Sequence, residues 1–263
     1  MKVDQVATHI VDWLKTYANN AGVKGFVIGV SGGIDSATTS TLCALTGLEV
    51  TAVNMPIHQA KNQIDRGQNH LNWLTTTFKN VQAVEVPLSG VFDTFLAAQS
   101  IQANQTELTQ LAEANSRARL RMTTLYYIAQ CRLALVAGTG NKIEDFGVGF
   151  YTKYGDGGVD ISPIADLNKT EVTALGAYLG VSNEIVTAPP TDGLWGDDRT
   201  DEDQIGASYP ELEWAMQQHE QRRELEEFTG REREVFEIFL TFHRSNLHKM
   251  LPIPVCQIPS GLR

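Results

Sequence analysis

The stretch Val27–Ala37, which reads VIGVSGGIDSA, decides the fold of this chain of 263 residues. A short run of β-branched residues ends abruptly in Ser-Gly-Gly-x-Asp-Ser, and the residues after it favour a helix that starts near Ile34–Ser36. Gly32 and Gly33 allow the main chain to approach a polyanion closely, and the unpaired N–H groups at the start of a helix attract an anion. The stretch therefore predicts a buried strand that leads into a phosphate-binding loop.

Asp35 is the unexpected residue of this loop. A carboxylate repels phosphate unless a divalent cation lies between them, so Asp35 is predicted to be a magnesium ligand. The alternative is a tight turn, in which the glycines form the turn and Asp35 or Ser36 caps the helix. The loop has neither the Gly-Lys-Ser/Thr ending of a P-loop nor the spaced glycines of a dinucleotide fingerprint. It resembles the loop of the pyrophosphatase-type ATPases, which implies cleavage of ATP between its α and β phosphates.

Charge and cysteine content argue against several classes of function. The formal net charge of −10 is unfavourable for a nucleic-acid surface, so no nucleic-acid partner is expected. Cys43, Cys131 and Cys256 are far apart and odd in number, so we expect reduced thiols. Neither a signal-peptide segment nor about eighteen consecutive apolar residues occur, so we expect a soluble cytoplasmic protein that does not contact membranes.

Short apolar segments alternate with helical ones along the chain. We predict parallel strands at residues 24–30, 49–55, 81–87 and 133–138, and helices at 3–19, 35–46, 62–78, 91–99, 114–131 and 169–179. This alternation is typical of an α/β fold with a doubly wound, mostly parallel sheet flanked by helices. We expect one domain over residues 1–263, with an N-terminal packing helix, a mobile loop at 188–207 and a charged helical segment at 209–243.

Ligands of such sheets bind at the carboxyl ends of the strands, so the segment Gly138–Asn141 is expected to face the same crevice as the phosphate loop. Thr139 and Glu144 follow the last predicted strand and are candidates for contacts with adenosine and a second magnesium position. The alternative for Glu144 is compensation of a helix dipole.

Two further segments carry candidate binding groups. Phe150–Asp160, FYTKYGDGGVD, is either a ligand-binding segment or a solvated glycine-rich hairpin. Asn115–Arg121, NSRARLR, contains three arginines that form an anion clamp or extend along the surface.

Several motifs, in this order along the chain, closely resemble the ammonia-dependent NAD synthetases: SGGIDSA, NSRARLRM, GTGNKIEDFGVGFYTKYGDGGVDISPIADLNKTEV, PPTDGLW, TDEDQIGASY and the pair His248-Lys249. The similarity spans roughly residues 20–250, and KYGDGGVDISP is its most specific part. The resemblance implies an adenine-nucleotide alpha-hydrolase-like fold and a homodimer with a substrate site near its interface. Two departures occur: Glu144 and Lys153 are one residue farther apart than in the family pattern, and the region between Asp35 and Arg119 is shorter.

The resemblance also implies roles for individual residues. ATP would be bound by Gly29, Val30, Ser31, Gly32, Gly33, Ile34, Asp35, Ser36, Thr139, Lys169 and Thr191. Deamido-NAD would be bound by Arg119, Lys153, Asp160, His248 and Lys249, and Mg²⁺ by Asp35 and Glu144. Asp35, Lys169 and Asp160 would be the catalytic residues, with Asp160 positioning ammonium or accepting its proton.

The implied reaction is ATP-dependent amidation of deamido-NAD by ammonia through an acyl-adenylate, giving NAD, AMP and pyrophosphate as the final step of NAD biosynthesis. Glutamine-dependent relatives carry an additional amidase domain, for which we expect no room in 263 residues. Two alternatives stay open at this point. One is another adenylating synthetase, such as a GMP-synthetase-like ATPase subunit, and the other is a nucleotide-binding sensor without catalysis.

Overall fold

The computed structural model describes residues 1–59, 61–99, 106–190 and 200–263, with residues 61–63 described by their backbone alone. Its strands are β1 Gly25–Gly29, β2 Glu49–Asn54, β3 Val81–Glu85 and β4 Ala134–Val136. The helices before β4 are α1 Val3–Ala21, α2 Ile34–Leu45, α3 Lys61–Thr77, α4 Ser89–Ala97 and α5 Glu107–Arg132. After a π-helical turn, Ile143–Val148, come α6 Lys169–Tyr178, α7 Asn183–Val186, α8 Asp201–Ile205, α9 Tyr209–Glu220 and α10 Gly230–Met250, with 3₁₀ turns at Leu225–Glu227 and Ser260–Leu262.

The four strands form a parallel sheet in the order β3-β2-β1-β4. Gly25 of β1 lies opposite Glu49 of β2 on one side and Ala134 of β4 on the other. The chain builds the sheet outward from β1 through β2 to β3, and then crosses to the opposite side of β1 to add β4. This reversal creates a topological switch point between β1 and β4, where α/β proteins of this kind bind ligands at the carboxyl ends of the strands. The predicted α/β fold class is confirmed.

Helix α2 is buried along nearly its whole length, which is unusual for a helix with many hydroxyl groups. Thr38, Thr39, Ser40 and Thr41 are all buried, and the Ser40 and Thr41 hydroxyls donate to the carbonyl oxygen of Ala37 at 3.0 and 2.7 Å. Such local bonds reduce the cost of burying a hydroxyl. The small side chains let neighbouring helices approach α2 closely, and this fixes the phosphate loop that precedes it.

Helix α6 approaches α2 closely at Gly176. A Cβ atom at Gly176 would lie 2.6 Å from both Thr38 Oγ1 and Ile34 Cδ1 of α2. A larger residue would push the two helices apart, so glycine is required by the packing. Because α6 begins at Lys169, this contact sets the distance from that lysine to the phosphate loop.

The structure differs from the sequence-based boundaries at three places. Helix α5 begins at Glu107 rather than at residue 114 because Thr106 caps it, accepting from the Thr109 N–H at 3.4 Å. The charged segment 209–243 is divided into α9 and α10. The predicted mobile loop 188–207 contains α8, and its residues 191–199 lie outside the described residues.

The segment from Glu144 to Lys153, in which the family resemblance implies one additional residue, begins in the π-helical turn. A π-helical turn holds more residues than an α-helical one, so it accommodates an insertion without breaking the helix. Gly149 ends the turn with a φ of +66°, a conformation that favours glycine.

Across the described ranges, none of the helices combines the length and apolar composition needed to cross a membrane. Cys43, Cys131 and Cys256 are free cysteines.

Candidate active site

The phosphate loop is closed by its own serine hydroxyls. Ser36 Oγ accepts from the Ser31 N–H at 3.2 Å and donates to the Gly33 carbonyl at 3.0 Å, and Ser31 Oγ accepts from the Gly33 N–H at 3.2 Å. Gly32 has a φ of +85°, which an L side chain rarely adopts. Gly33 is the N-cap of α2 and no side chain caps the helix, so the alternative in which Asp35 or Ser36 is the cap is wrong. The first N–H groups of α2 remain available to an anion.

A lysine lies between the two carboxylates that were predicted to bind metal. Lys169 Nζ donates to Asp35 Oδ2 at 2.5 Å and to Glu144 Oε1 at 3.0 Å. Asp35 Oδ1 also accepts from the Asn141 side-chain amide at 3.2 Å, and Glu144 Oε1 accepts from the Tyr209 hydroxyl at 2.6 Å. Four elements that are distant in sequence therefore meet at one cation.

The charges at this cluster are strongly coupled. Burial would raise the pKa of Glu144, but the Lys169 ammonium and the Tyr209 hydroxyl together hold that pKa below its ordinary value. Burial would lower the pKa of Lys169, but the carboxylates of Asp35 and Glu144 outweigh it and hold the pKa above its ordinary value. Lys169 is therefore a cation and Glu144 an anion at neutral pH, although both are largely buried.

The position of Lys169 follows from local structure as well as from packing. It is the first residue of α6, which begins with a capping box in which the Asn168 N–H donates to Glu171 Oε2 at 3.1 Å. The Leu167 carbonyl accepts from the Lys142 N–H at 2.8 Å, tying the start of α6 to the segment that carries Glu144.

A cavity of about 260 Å³ opens at the carboxyl ends of β1 and β4. It is lined by the whole phosphate loop Gly29–Ser36, by Thr139, and by Glu144 and Lys169. The structure therefore brings together all the predicted ATP-binding residues that it describes, and Thr191 lies outside the described residues. Their role in binding ATP stays a prediction.

Three acidic residues that were not among the sequence candidates also line this cavity, Asp145, Asp156 and Asp201. A Cβ atom at Gly140 would meet the Asp145 carboxylate, so glycine at this position leaves room for that side chain. Burial, followed by the negative charges of Glu144, Asp156 and Asp35, raises the pKa of Asp145 to about 8. Asp156 Oδ1 accepts from the Thr152 N–H at 2.9 Å.

None of the predicted deamido-NAD residues lines this cavity, and hydrogen bonds link Arg119, Lys153 and His248 to one another. The Arg119 guanidinium donates to the Lys153 carbonyl at 3.3 and 3.4 Å, and Lys153 Nζ donates to the His248 carbonyl at 2.5 Å. Lys249 Nζ donates to two carbonyls of the neighbouring loop, those of Gly149 and Tyr151, both at 2.8 Å.

Asp160 is held away from the cavity. Its carboxylate accepts from the Tyr126 hydroxyl at 3.0 Å and from the Val136 N–H at 2.8 Å. Of the two carboxylates in the FYTKYGDGGVD segment, Asp156 is therefore the one that faces the cavity.

Tyr209, Asn141 and Asp156 are among the site residues that the sequence reasoning did not single out. All three lie inside motifs that it did identify: Asn141 in GTGN, Asp156 in KYGDGG and Tyr209 at the end of TDEDQIGASY. The motifs were therefore recognisable in the sequence. The sequence spacing of an amide or a phenol, however, does not indicate which distant carboxylate it contacts.

Together these features define the class of the protein: an α/β nucleotide-binding domain with a phosphate loop at the switch point of its sheet and a cation site beside that loop. Residues 6–252 match the family model described as NAD synthase. The chain therefore belongs to the NAD synthase family.

Individual relatives agree with this assignment. An NH3-dependent NAD+ synthetase from Archaeoglobus fulgidus is 38% identical over 234 residues, covering 87% of this chain and 90% of the relative. One from Methanosarcina mazei is 37% identical over 217 residues, or 81% of each chain. Among solved structures, the NMN synthetase from Francisella tularensis superposes with a TM-score of 0.83 at 30% identity, covering 99% of both chains.

Proposed function

We propose that the cavity at the β1–β4 switch point is where the chain carries out the reaction of its family. Family membership makes the chain a ligase that amidates deamido-NAD with ammonia at the expense of ATP, the final step of NAD biosynthesis. The observation that carries the residue assignment is Lys169, held between Asp35 and Glu144 next to the phosphate loop. This arrangement supplies charge where an ATP pyrophosphatase needs it, at phosphates that become more negative as the reaction proceeds.

Asp35 and Glu144 are the residues that would hold Mg²⁺. The Lys169 ammonium between them supports this assignment, because it is a cation bound to both carboxylates, and carboxylate oxygens are the ligands that Mg²⁺ prefers. Among the described residues, no group of three or more His, Cys, Asp or Glu side chains forms a complete metal site. ATP phosphates and water would supply the remaining ligands, as they usually do for Mg²⁺. When bound, Mg²⁺ would neutralise phosphate charge and favour cleavage at the α-phosphorus.

The first chemical step forms an acyl-adenylate. A carboxylate oxygen of the nicotinate group attacks the α-phosphorus of ATP, the bond from that phosphorus to the bridging oxygen breaks, and pyrophosphate leaves with the electron pair. The N–H groups at the start of α2 would bind the phosphates, and Lys169 would offset the growing charge. The chain needs no nucleophile of its own for this step, because the substrate carboxylate is the nucleophile.

The second step forms the amide bond. Ammonia attacks the acyl carbon, the bond from that carbon to the AMP oxygen breaks, and the nitrogen loses a proton. Asp156 is the carboxylate of the glycine-rich segment that lines the cavity, so we assign the positioning of ammonium to Asp156 in place of Asp160. The contacts of Asp160 with Tyr126 and Val136 support a structural role for it.

A second acceptor is favoured by one specific observation. The NMN synthetase named above matches this chain over nearly its full length, so the mononucleotide form of the substrate is the alternative acceptor. The same adenylation and amidation chemistry would then produce NMN instead of NAD.

The proposal also includes a homodimer of single-domain chains. Exposed apolar side chains are concentrated in the C-terminal segment, where Ile253 is 67% exposed and Val255 72% exposed, and on α5, where Tyr127 is 73% exposed. A second copy of the chain would cover such surfaces. Sedimentation velocity tests this, and a concentration-independent monomer would contradict it.

We also propose a cytoplasmic location, where free cysteines are the rule.

The experiment that tests the reaction measures AMP and pyrophosphate release with ATP, Mg²⁺ and ammonium, in the presence of deamido-NAD, of nicotinate mononucleotide, or of no acceptor. We expect release with deamido-NAD and little without an acceptor. Higher kcat/KM with the mononucleotide would establish the second acceptor, and no release with either would refute the proposal. Ammonia-free glutamine should not replace ammonium, and equal rates with the two nitrogen sources would refute ammonia dependence.

A further inference from the structure

Helix α3 lies directly against the phosphate loop. A Cβ atom at Gly67 would be 3.6 Å from Gly32 N and 3.7 Å from Ser31 C, so this turn of the helix is in van der Waals contact with the loop backbone. The residue before Gly67 is Arg66, and its side chain lines the same cavity as the phosphate loop. Helix α3, which is not part of the glycine-rich loop, thus places a cationic side chain beside that loop.

Arg66 differs from the other cations of the cavity wall in its contacts. Lys169 is bonded to two carboxylates, and Arg121 Nε donates to the Met55 carbonyl at 3.0 Å. The Nε atom of Arg66 is buried and has no hydrogen-bond partner in the described structure. A buried donor without a partner costs free energy, and in a cavity it indicates that a ligand supplies the acceptor.

A second donor of the cavity wall is in the same state. Asn54, at the end of β2, is only 5% exposed and lines the cavity, and its Nδ2 atom is also buried without a partner. Two unpartnered donors in one cavity favour a ligand with many acceptor oxygens. A guanidinium adds charge and a planar pair of N–H groups, which match phosphate oxygens.

The turn of α3 that carries Arg66 is held firmly. One turn further on, His70 is buried and its Nε2 atom lies 2.9 Å from Ser40 Oγ of α2. The His70 ring stacks on Trp73 at a centroid distance of 5.4 Å. These contacts fix α3 to the helix that follows the phosphate loop, so Arg66 is presented to the cavity from a rigid support.

We infer that Arg66 binds the phosphates of ATP directly and retains pyrophosphate after the adenylation step, as a substrate-contacting residue of the family reaction. The Arg66 guanidinium supplies a positive charge from α3, whereas Lys169 supplies one from α6. The inference rests on the proposed use of ATP at this cavity.

The test is calorimetric titration of the full chain with magnesium pyrophosphate and, separately, with AMP. Arg66→Gln removes the charge and should weaken pyrophosphate binding by roughly 10- to 100-fold, the range for a hydrogen bond to a charged group, while AMP binding changes less than threefold. Arg66→Lys keeps the charge and loses the planar pair of N–H groups. We therefore expect its affinity for pyrophosphate to lie between those of the wild type and Arg66→Gln. The KM for ATP should rise in the same order.

Two control variants separate this effect from a disturbed helix or a changed net charge. Asn69→Ala alters an exposed position of α3, and Arg132→Gln removes an exposed arginine from the end of α5. Both should bind pyrophosphate as the wild type does. Circular dichroism establishes that each variant is folded, and Arg66→Lys remains informative if Arg66→Gln is not.

Pyrophosphate binding by Arg66→Gln within twofold of the wild type would overturn the inference. Equal weakening of pyrophosphate and AMP binding would also overturn it, because the effect of Arg66 would then not be specific to the pyrophosphate part of ATP. If the wild type nevertheless releases AMP from ATP, either of these results refutes the role of Arg66 but not the proposed function. A wild type that releases no AMP with any acceptor would instead refute the proposed function itself.

Discussion

The buried histidine of α3, His70, makes the free energy of unfolding of this protein depend on pH. Burial lowers the pKa of His70 from 6.5 to about 4, so the folded protein keeps this imidazole neutral well below neutral pH. In the unfolded chain His70 takes up a proton near pH 6.5. Between these two pKa values the unfolded state binds more protons than the folded state, and the free energy of unfolding therefore falls as the pH falls from about 6.5 to 4.

The size of the effect follows from the two pKa values. The full difference corresponds to about 3 kcal/mol, and about 2 kcal/mol of it should be lost between pH 7 and pH 5. His70→Gln removes the titrating group and places an amide nitrogen near the position of Nε2, within reach of Ser40. We expect the variant to lose about 2 kcal/mol less stability than the wild type over this pH interval.

The assay is urea unfolding of both proteins at pH 7 and pH 5, followed by tryptophan fluorescence and by circular dichroism. Trp73, one of four tryptophans, stacks on His70, and the dichroism reports the helices and strands of the whole fold. Other titrating groups contribute equally to both proteins and cancel in the comparison. The reasoning is refuted if the two proteins lose the same free energy of unfolding, or if the His70 ring titrates near pH 6.5 in the folded protein.

Three substitutions at the cation cluster test its separate parts. Asp35→Asn should lower the rate of AMP release by at least about 100-fold while the dichroism spectrum is unchanged, because it removes a ligand charge and keeps the side-chain shape. Lys169→Met leaves the carboxylates of Asp35 and Glu144 together without their cation and should reduce the free energy of unfolding by about 3 kcal/mol, as measured by urea unfolding. Mg²⁺ should restore more stability to this variant than it adds to the wild type. Tyr209→Phe removes a hydrogen bond from Glu144 and should lower the free energy of unfolding by about 1 kcal/mol and raise the Mg²⁺ concentration needed for half-maximal activity.

Each of these expectations has a result that contradicts it. Near-normal turnover by Asp35→Asn would remove that residue from the metal site. An unchanged unfolding curve for Lys169→Met would mean that the two carboxylates do not depend on the ammonium. An unchanged Mg²⁺ requirement in Tyr209→Phe would restrict Tyr209 to packing. Arg132→Gln serves as the common control, since it lies in an exposed position.

The sheet and the phosphate loop could be predicted from the sequence because each depends on a short local signal. The strand β1 is a run of β-branched residues, and the loop after it is recognisable by its glycines and serines. All four predicted strands are present and parallel, with ends within a few residues of the prediction. The periodicity of apolar residues is also a local signal, and it located the helices. It misplaced the start of α5, because a threonine cap rather than an apolar residue sets that boundary.

The contacts of the site could be predicted only in part, because they join residues that are far apart in sequence. Glu144 is a candidate because it follows the last predicted strand, and Lys169 because of the family resemblance, but nothing in the spacing indicates that one ammonium bridges Glu144 and Asp35. The orientation of Asp156 toward the cavity and of Asp160 away from it depends on which side chain meets Tyr126. Arg66 was missed because its helix carries no recognisable motif, and its place at the loop follows from the packing of Gly67.

The start of the π-helical turn is fixed on the side of β4, because the Glu144 N–H donates to Asn141 Oδ1 at 3.1 Å.

The π-helical geometry leaves carbonyl groups at the end of the turn that need donors, and α10 supplies them. A ring nitrogen of His243 donates to the Gly147 carbonyl at 2.7 Å, the Asn246 amide to the Val148 carbonyl at 2.9 Å, and Lys249 to the Gly149 carbonyl at 2.8 Å. These three donors are spaced by three residues along α10 and so share one face of it. Lys249, predicted to bind substrate, therefore has a structural task as well, and its loss should disturb the turn that follows Glu144 before it disturbs any contact with deamido-NAD.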